Sequence, residues 1–204
     1  PKREGKPLYD DLIVELKNAR GEVEALCLAV PFLRQGDYVV PEGAENTYAT
    51  GVRMFYQELV QCAALRQTEN QALVAVGHLQ AVGSEIAEKD YSERTIIGGL
   101  ECVSPDVFDE RIAYTALGHI HKAQQVRGGE ATYYAGSALP MSFSELNYKH
   151  GVQFVDIDPQ GEALVEFVEY APLRGLVTIP AKGRAVSAEA LFDCINSLPK
   201  RDKK

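Results

Sequence analysis

The sequence has no tryptophan, two methionines and only four histidines in 204 residues. It also has no apolar run near the ~18 residues that a membrane-spanning helix requires, which excludes such a span. Its four cysteines, Cys27, Cys62, Cys102 and Cys194, include no Cys-x-x-Cys pair, so neither a zinc ribbon nor a dithiol redox motif is encoded. Scattered single thiols, two of them in apolar segments, point to a reducing compartment, and we expect the cytoplasm. The first ten residues are charged and polar, with no apolar core of a signal peptide. They open on Pro1 rather than Met, so the chain is expected to begin partway through a longer protein or after processing. An excess of basic residues is missing as well. Lys and Arg number 21 against 29 Asp and Glu, a net charge of −8, which argues against a general nucleic-acid binder.

What is present is an ordinary globular composition, 46% apolar and 25% charged. A chain of this length buries roughly 70% of its unfolded surface and needs no disulfide or metal staple. The negative charge is unevenly spread. Residues 85–110 hold eight acids against Lys89 and Arg94, and residues 156–169 hold five acids and no base. Between them, residues 111–153 carry Arg111, Lys122, Arg127 and Lys149 against Glu130 and Glu145, with three of the four histidines. A local anion site is therefore compatible with the overall acidity. The acidic run 85–110 itself reads as a solvated face.

Residues 12–17 and 23–30 read as strands joined by the turn Asn18-Ala-Arg-Gly21. Pro31 stops the second. Asn46 or Thr47 can cap a helix to about residue 66, with Val52, Phe55, Leu59, Cys62 and Ala63 at helical spacing, one face against a sheet. The unbroken apolar run 72–76 suits a strand covered on both faces, and a second run spans 112–117. Further strands are expected at 131–135, 152–157 and 163–170, the last two joined by Pro159-Gln-Gly161. Residues 172–183, with two prolines and two glycines, read as a linker, and Ser187 can cap a final helix to 198. The class is α/β or α+β: a mixed sheet flanked by helices.

Two buried-type strands end in Gly-His: Gly77-His78, and Gly118-His119-Ile120-His121. Ligands collect at the carboxyl ends of strands in open α/β sheets, so these imidazoles stand where a site belongs. Glycine before each permits close backbone approach or an unusual dihedral. If extended, His119 and His121 share a face about 6–7 Å apart at the backbone. That spacing suits two ligands on neighbouring ions about 3.5–4 Å apart. Any one of these histidines alone reads as well as a hydrogen-bonded loop residue; the cluster favours metal ligation. His150 reads as ordinary surface.

The segments Gly77-His-Leu-Gln-Ala-Val-Gly-Ser84, Ala116-Leu-Gly-His-Ile-His-Lys-Ala-Gln124 and Tyr134-Ala-Gly-Ser-Ala-Leu-Pro-Met-Ser-Phe-Ser-Glu145 resemble the later motifs of the calcineurin-like metallophosphoesterases. Within them, the match is to the nuclease subunits of SbcCD-type complexes, and Pro31-Phe-Leu-Arg34 resembles the stretch before the helix. The resemblance implies that His78 and His119 bind one divalent ion, usually manganese in these nucleases, and that His121 binds its neighbour. It implies DNA and a large SMC-like ATPase subunit as partners. It makes Ser137 a candidate phosphate contact or simply a turn residue, and Lys122 and Arg127 candidates for the DNA backbone or solvated surface.

Three earlier family motifs, Asp-x-His, Gly-Asp-x-x-Asp and Gly-Asn-His-Asp/Glu, do not occur in this sequence. They supply the bridging carboxylate, the other ligands and the histidine that assists the leaving group. The expectation is thus the second half of a two-sheet sandwich in residues 1–174, with 175–204 a linker and the start of a cap region. Alone, it should be inactive, with an open apolar sheet face and a tendency to form homodimers. The competing readings are a non-catalytic DNA- or partner-binding module, and a mononuclear zinc hydrolase with three histidine ligands.

Overall fold

The computed structural model describes residues 2–3, 6–45, 47–84, 102–171, 175–180 and 185–198. Most of the acidic run 85–110 (residues 85–101), Asn46, parts of the 172–183 linker and the last six residues lie outside this set. Strands β1 (Lys2–Arg3) and β2 (Lys6–Pro7) form a small antiparallel ladder. After it come β3 (Ile13–Lys17), β4 (Val23–Ala29), helix α1 (Thr47–Ala64), β5 (Ala72–His78), β6 (Tyr114–Gly118), β7 (Gln124–Gln125) and β8 (Thr132–Tyr134). An antiparallel hairpin of β9 (Gly151–Ile157) and β10 (Ala163–Glu169) and helix α2 (Ala188–Asn196) complete the order. The chain divides into two compact units, residues 1–171 and 172–204.

The first unit is built on a six-stranded mixed sheet, ordered β3-β4-β5-β6-β8-β7. The pairs β4–β5, β5–β6 and β6–β8 are parallel, while the edge pairs β3–β4 and β7–β8 are antiparallel. Turn chemistry sets the hairpins. Asn18 Oδ1 accepts from the Arg20 and Glu22 amides and Gly21 takes φ 84°, while Asp158 Oδ1 does the same for Gln160 and Glu162 beside Gly161 at φ 89°.

The sheet has two unlike faces. Ile13, Leu28 and Ala75 lie in register, as do Leu26 and Leu73, and all are buried in one core with Val52, Phe55, Tyr56, Leu59, Val60 and Ala63 of α1. Alternation turns Val14, Leu16, Val74 and Val76 to the other face. There Val14 and Leu16 of the antiparallel edge strand β3 are exposed, and so is Val76 of β5, which is unusual because parallel strands are normally covered on both sides. Helix α1 passes close over the sheet's neighbouring loop because Gly51 has no Cβ, which would overlap the Tyr38 ring.

Three details differ from the reading of the sequence. Strand β5 continues through Gly77 and His78, which pair with Leu117 and Gly118 of β6 rather than starting a loop. Strand β6 begins at Tyr114, because the Ile112 amide is taken by a turn to Asp109. The polar edge strand β7 carries no apolar alternation and falls outside that reading. Helix α2, in the second unit, starts where Ser187 Oγ accepts from the Ala190 amide at 3.2 Å. Among the described residues no helix is long and apolar enough to cross a membrane. All four cysteines are free, and burial pushes the Cys27 and Cys62 thiols up.

Candidate metal centre

The parallel pairing of β5 with β6 delivers the three histidines to one place, the carboxyl ends of two adjacent strands. Strand alternation points His78 to the face away from α1, because its neighbour Gly77 faces the helix. A Cβ on Gly77 would lie 2.5 Å from Tyr56 Oη. One on Gly118 would lie 3.0 Å from His78 Nδ1. Both glycines therefore serve close approach, and neither takes a positive φ. The unusual dihedral belongs to the next residue: His119 has φ 112°, a region costly for any residue with a side chain.

The His78 and His119 rings sit with centroids 5.4 Å apart at 72°, and Phe32 packs edge-on against His78 at 5.9 Å. Surrounding protein desolvates both imidazoles and lowers their pKa, with the neighbouring histidine rings adding to the effect. That direction favours the neutral form that binds cations. His78 is exposed, His119 and His121 half-buried. His121 is anchored differently: its Nδ1 lies 2.9 Å from Oε1 of Glu145, which is fully buried.

Two loops brace the centre. Buried Tyr134 donates its hydroxyl to the Leu79 carbonyl and accepts from the Ala81 amide, both at 2.8 Å, pinning the chain just after His78. The Ser137 amide donates to the His121 carbonyl at 2.9 Å. Gly136, at φ 79°, makes that crossing possible, since a Cβ there would lie 2.7 Å from the His121 oxygen. Ser137 is half-buried, its hydroxyl 3.4 Å from Glu145 Oε2 and its carbonyl accepting from His150 Nδ1 at 2.9 Å. His150 is thus buried, 6% exposed, and not surface: it ties the start of β9 to the Ser137 loop. Lys122 follows His121 directly and is half-buried, whereas Arg127 is exposed beside Gly83.

The donors fit divalent-metal chemistry in number for part of a site. Among the described residues, no group of three or more His, Cys, Asp or Glu is arranged to hold one ion. The arrangement is a pair, His78 and His119, beside a singly anchored His121. Glu145 carries little signal in the sequence beyond being the one acid in segment 134–146. A separate cleft lined by Glu24, Gln71, Glu110, Arg111 and the β9–β10 turn opens at the amino-terminal ends of β4 and β5, away from the histidines.

No family model matches the chain. It is 34% identical over 188 residues to the SbcD subunit of nuclease SbcCD from Rhodobacter capsulatus, covering 89% of this chain and 45% of that protein. It is 31% identical to the Escherichia coli K12 protein of the same name, covering 66% of this chain and 35% of that one. For the Bacillus subtilis protein the identity is 29%, over 78% of this chain and 41% of the relative. The chain thus spans less than half the length of these relatives.

Proposed function

Because this chain is homologous along most of its length to the SbcD subunit of the SbcCD nuclease, we propose that it forms part of a metal-dependent DNA nuclease, contributing His78, His119 and His121 to a two-ion centre. The observation that carries this reading is the meeting of all three imidazoles at the ends of β5 and β6, two of them with centroids 5.4 Å apart. His78 and His119 would hold one ion, probed best as manganese, and His121 its neighbour. Divalent ions at such a centre polarise a scissile phosphate and lower the pKa of a bound water to near neutrality. The protein's part is to keep two imidazoles neutral by desolvation, to hold His119 in its strained orientation, and to brace the loops through Tyr134 and Ser137. Lys122 and Arg127 are the proposed backbone-phosphate contacts, and Ser137 is the proposed support of the loop that would face the phosphate.

Three imidazoles supply no bridging carboxylate, so the chain by itself is proposed to bind metal without cleaving DNA. An SbcC-type ATPase subunit, DNA ends or hairpins, and a second copy of the chain are the partners of this reading, and the cytoplasm its setting. The test is titration of the full chain with Mn2+, followed by electron paramagnetic resonance. Binding that disappears in His119→Ala supports the reading. Unchanged binding in that variant, or manganese-dependent cleavage of DNA by this chain alone, sinks the corresponding part.

A further inference from the structure

We infer that Glu145 is a positioning residue for His121: it holds the imidazole proton on Nδ1, so that Nε2 carries the lone pair offered to a metal. The inference rests on reading His121 as a ligand, but its geometry stands apart from that reading. Glu145 is wholly buried, with 0% of its surface exposed. A carboxylate in such a place is costly unless charge-assisted hydrogen bonds compensate its lost hydration. As a carboxylate the side chain only accepts, so each polar neighbour must donate. Its Oε2 takes the Met141 amide at 2.7 Å and, more weakly, the Ser137 hydroxyl at 3.4 Å. Its Oε1 faces His121 Nδ1 at 2.9 Å, and the only hydrogen that can lie between them belongs to the ring.

The consequence is both orientation and electronics. A ring held at Nδ1 cannot rotate about its outer bond without breaking a buried charge-assisted contact. A carboxylate behind an imidazole also raises its basicity toward a cation, and losing such a partner typically lowers metal affinity about 10–100-fold. His78 and His119 have no such carboxylate against them among the described residues; their rings are set by packing against Phe32 and each other. The two halves of the centre would therefore be held by different means.

Glu145→Gln is the informative variant. Its amide cannot accept on both sides: an NH2 at the Oε2 position would face the Met141 N–H. The side chain must turn its oxygen to Met141 and its NH2 to His121, which forces the proton onto Nε2. The experiment is nitrogen-15 NMR of the imidazoles in the metal-free full chain at about pH 8, above the usual histidine range, with a Mn2+ titration in parallel. The expected result is a Nδ1–H ring for His121 in the wild type, a Nε2–H ring in Glu145→Gln, and manganese broadening of His121 weakened about 10–100-fold in the variant. A wild-type ring protonated on Nε2, as neutral tautomer or imidazolium, would overturn the inference, and so would an unchanged tautomer in the folded variant. If the variant does not fold, the wild-type spectrum still decides. Absence of manganese binding to the wild type would instead defeat the nuclease reading and leave the tautomer result standing.

Discussion

His119 and Gly77 show how the same dipeptide, Gly-His, is used in two ways. At His78 the glycine makes room on the α1 side, so that Tyr56 can fill the core. That fit has a cost. Tyr56 Oη is buried with no hydrogen-bond partner among the described residues, and burial drives its pKa far upward. Tyr56→Phe should therefore be neutral or stabilising by about 1 kcal/mol, since an unsatisfied buried hydroxyl is removed. Gly77→Ala should destabilise, and Tyr56→Phe should partly rescue it; a double-mutant cycle by urea unfolding reads both. At His119 the strain lies in the residue itself. His119→Gly and His119→Ala both remove the imidazole, but only glycine relaxes φ 112°. The glycine variant should be the more stable by about 1 kcal/mol, with metal binding lost equally in both. Equal stabilities would show that the backbone there is not strained.

Elements bring these residues together through two devices, a packed helix and a tyrosine tether. Helix α1 buries its Val52-Phe55-Tyr56-Leu59-Val60-Ala63 stripe in the sheet core. Leu59→Ala should cost about 3 kcal/mol in thermal or chemical unfolding, because the site is completely enclosed and a cavity would remain. The tether is more local. Tyr134→Phe would leave the Leu79 carbonyl and the Ala81 amide unsatisfied in buried positions, at about 2–4 kcal/mol. It should also loosen the segment after β5, so hydrogen exchange at residues 79–81 should rise more than at α1. Protection unchanged at those amides would remove Tyr134 from the set of residues that brace the centre.

For the whole molecule, the governing fact is the half-covered sheet. Val14, Leu16 and Val76 stand exposed on the face opposite α1, alongside half-buried Ala25, Cys27 and Val74. His78 points to that same side, so whatever covers the face also adjoins the candidate centre. Exposed apolar surface of this kind marks an interaction site or an association hazard. The isolated chain is expected to bind a hydrophobic dye and to sediment as a dimer at micromolar concentration. Leu16→Glu should return it to a monomer. Monomeric wild-type chain without dye binding would show that the face is closed in solution by other means.

The sequence alone was enough for most of the elements in their order and for setting three histidines at strand ends. Apolar runs of the right length named β5 and β6, helical spacing named α1, Asn18 and Pro159-Gly161 marked the hairpin turns, and Gly-His twice after a strand named the three imidazoles. These are local signals, carried by neighbours in the chain. Tertiary structure decided what depends on contacts between distant segments. Register made Gly77 and His78 part of β5 and set His78 against Gly118. A buried contact made His150 internal, where its polarity and loop-like surroundings read as surface, and burial beside His121 gave Glu145 a role that no local signal marks. The φ of 112° at His119, between the end of β6 and the His121–Ser137 crossing, is a backbone state that no residue propensity encodes.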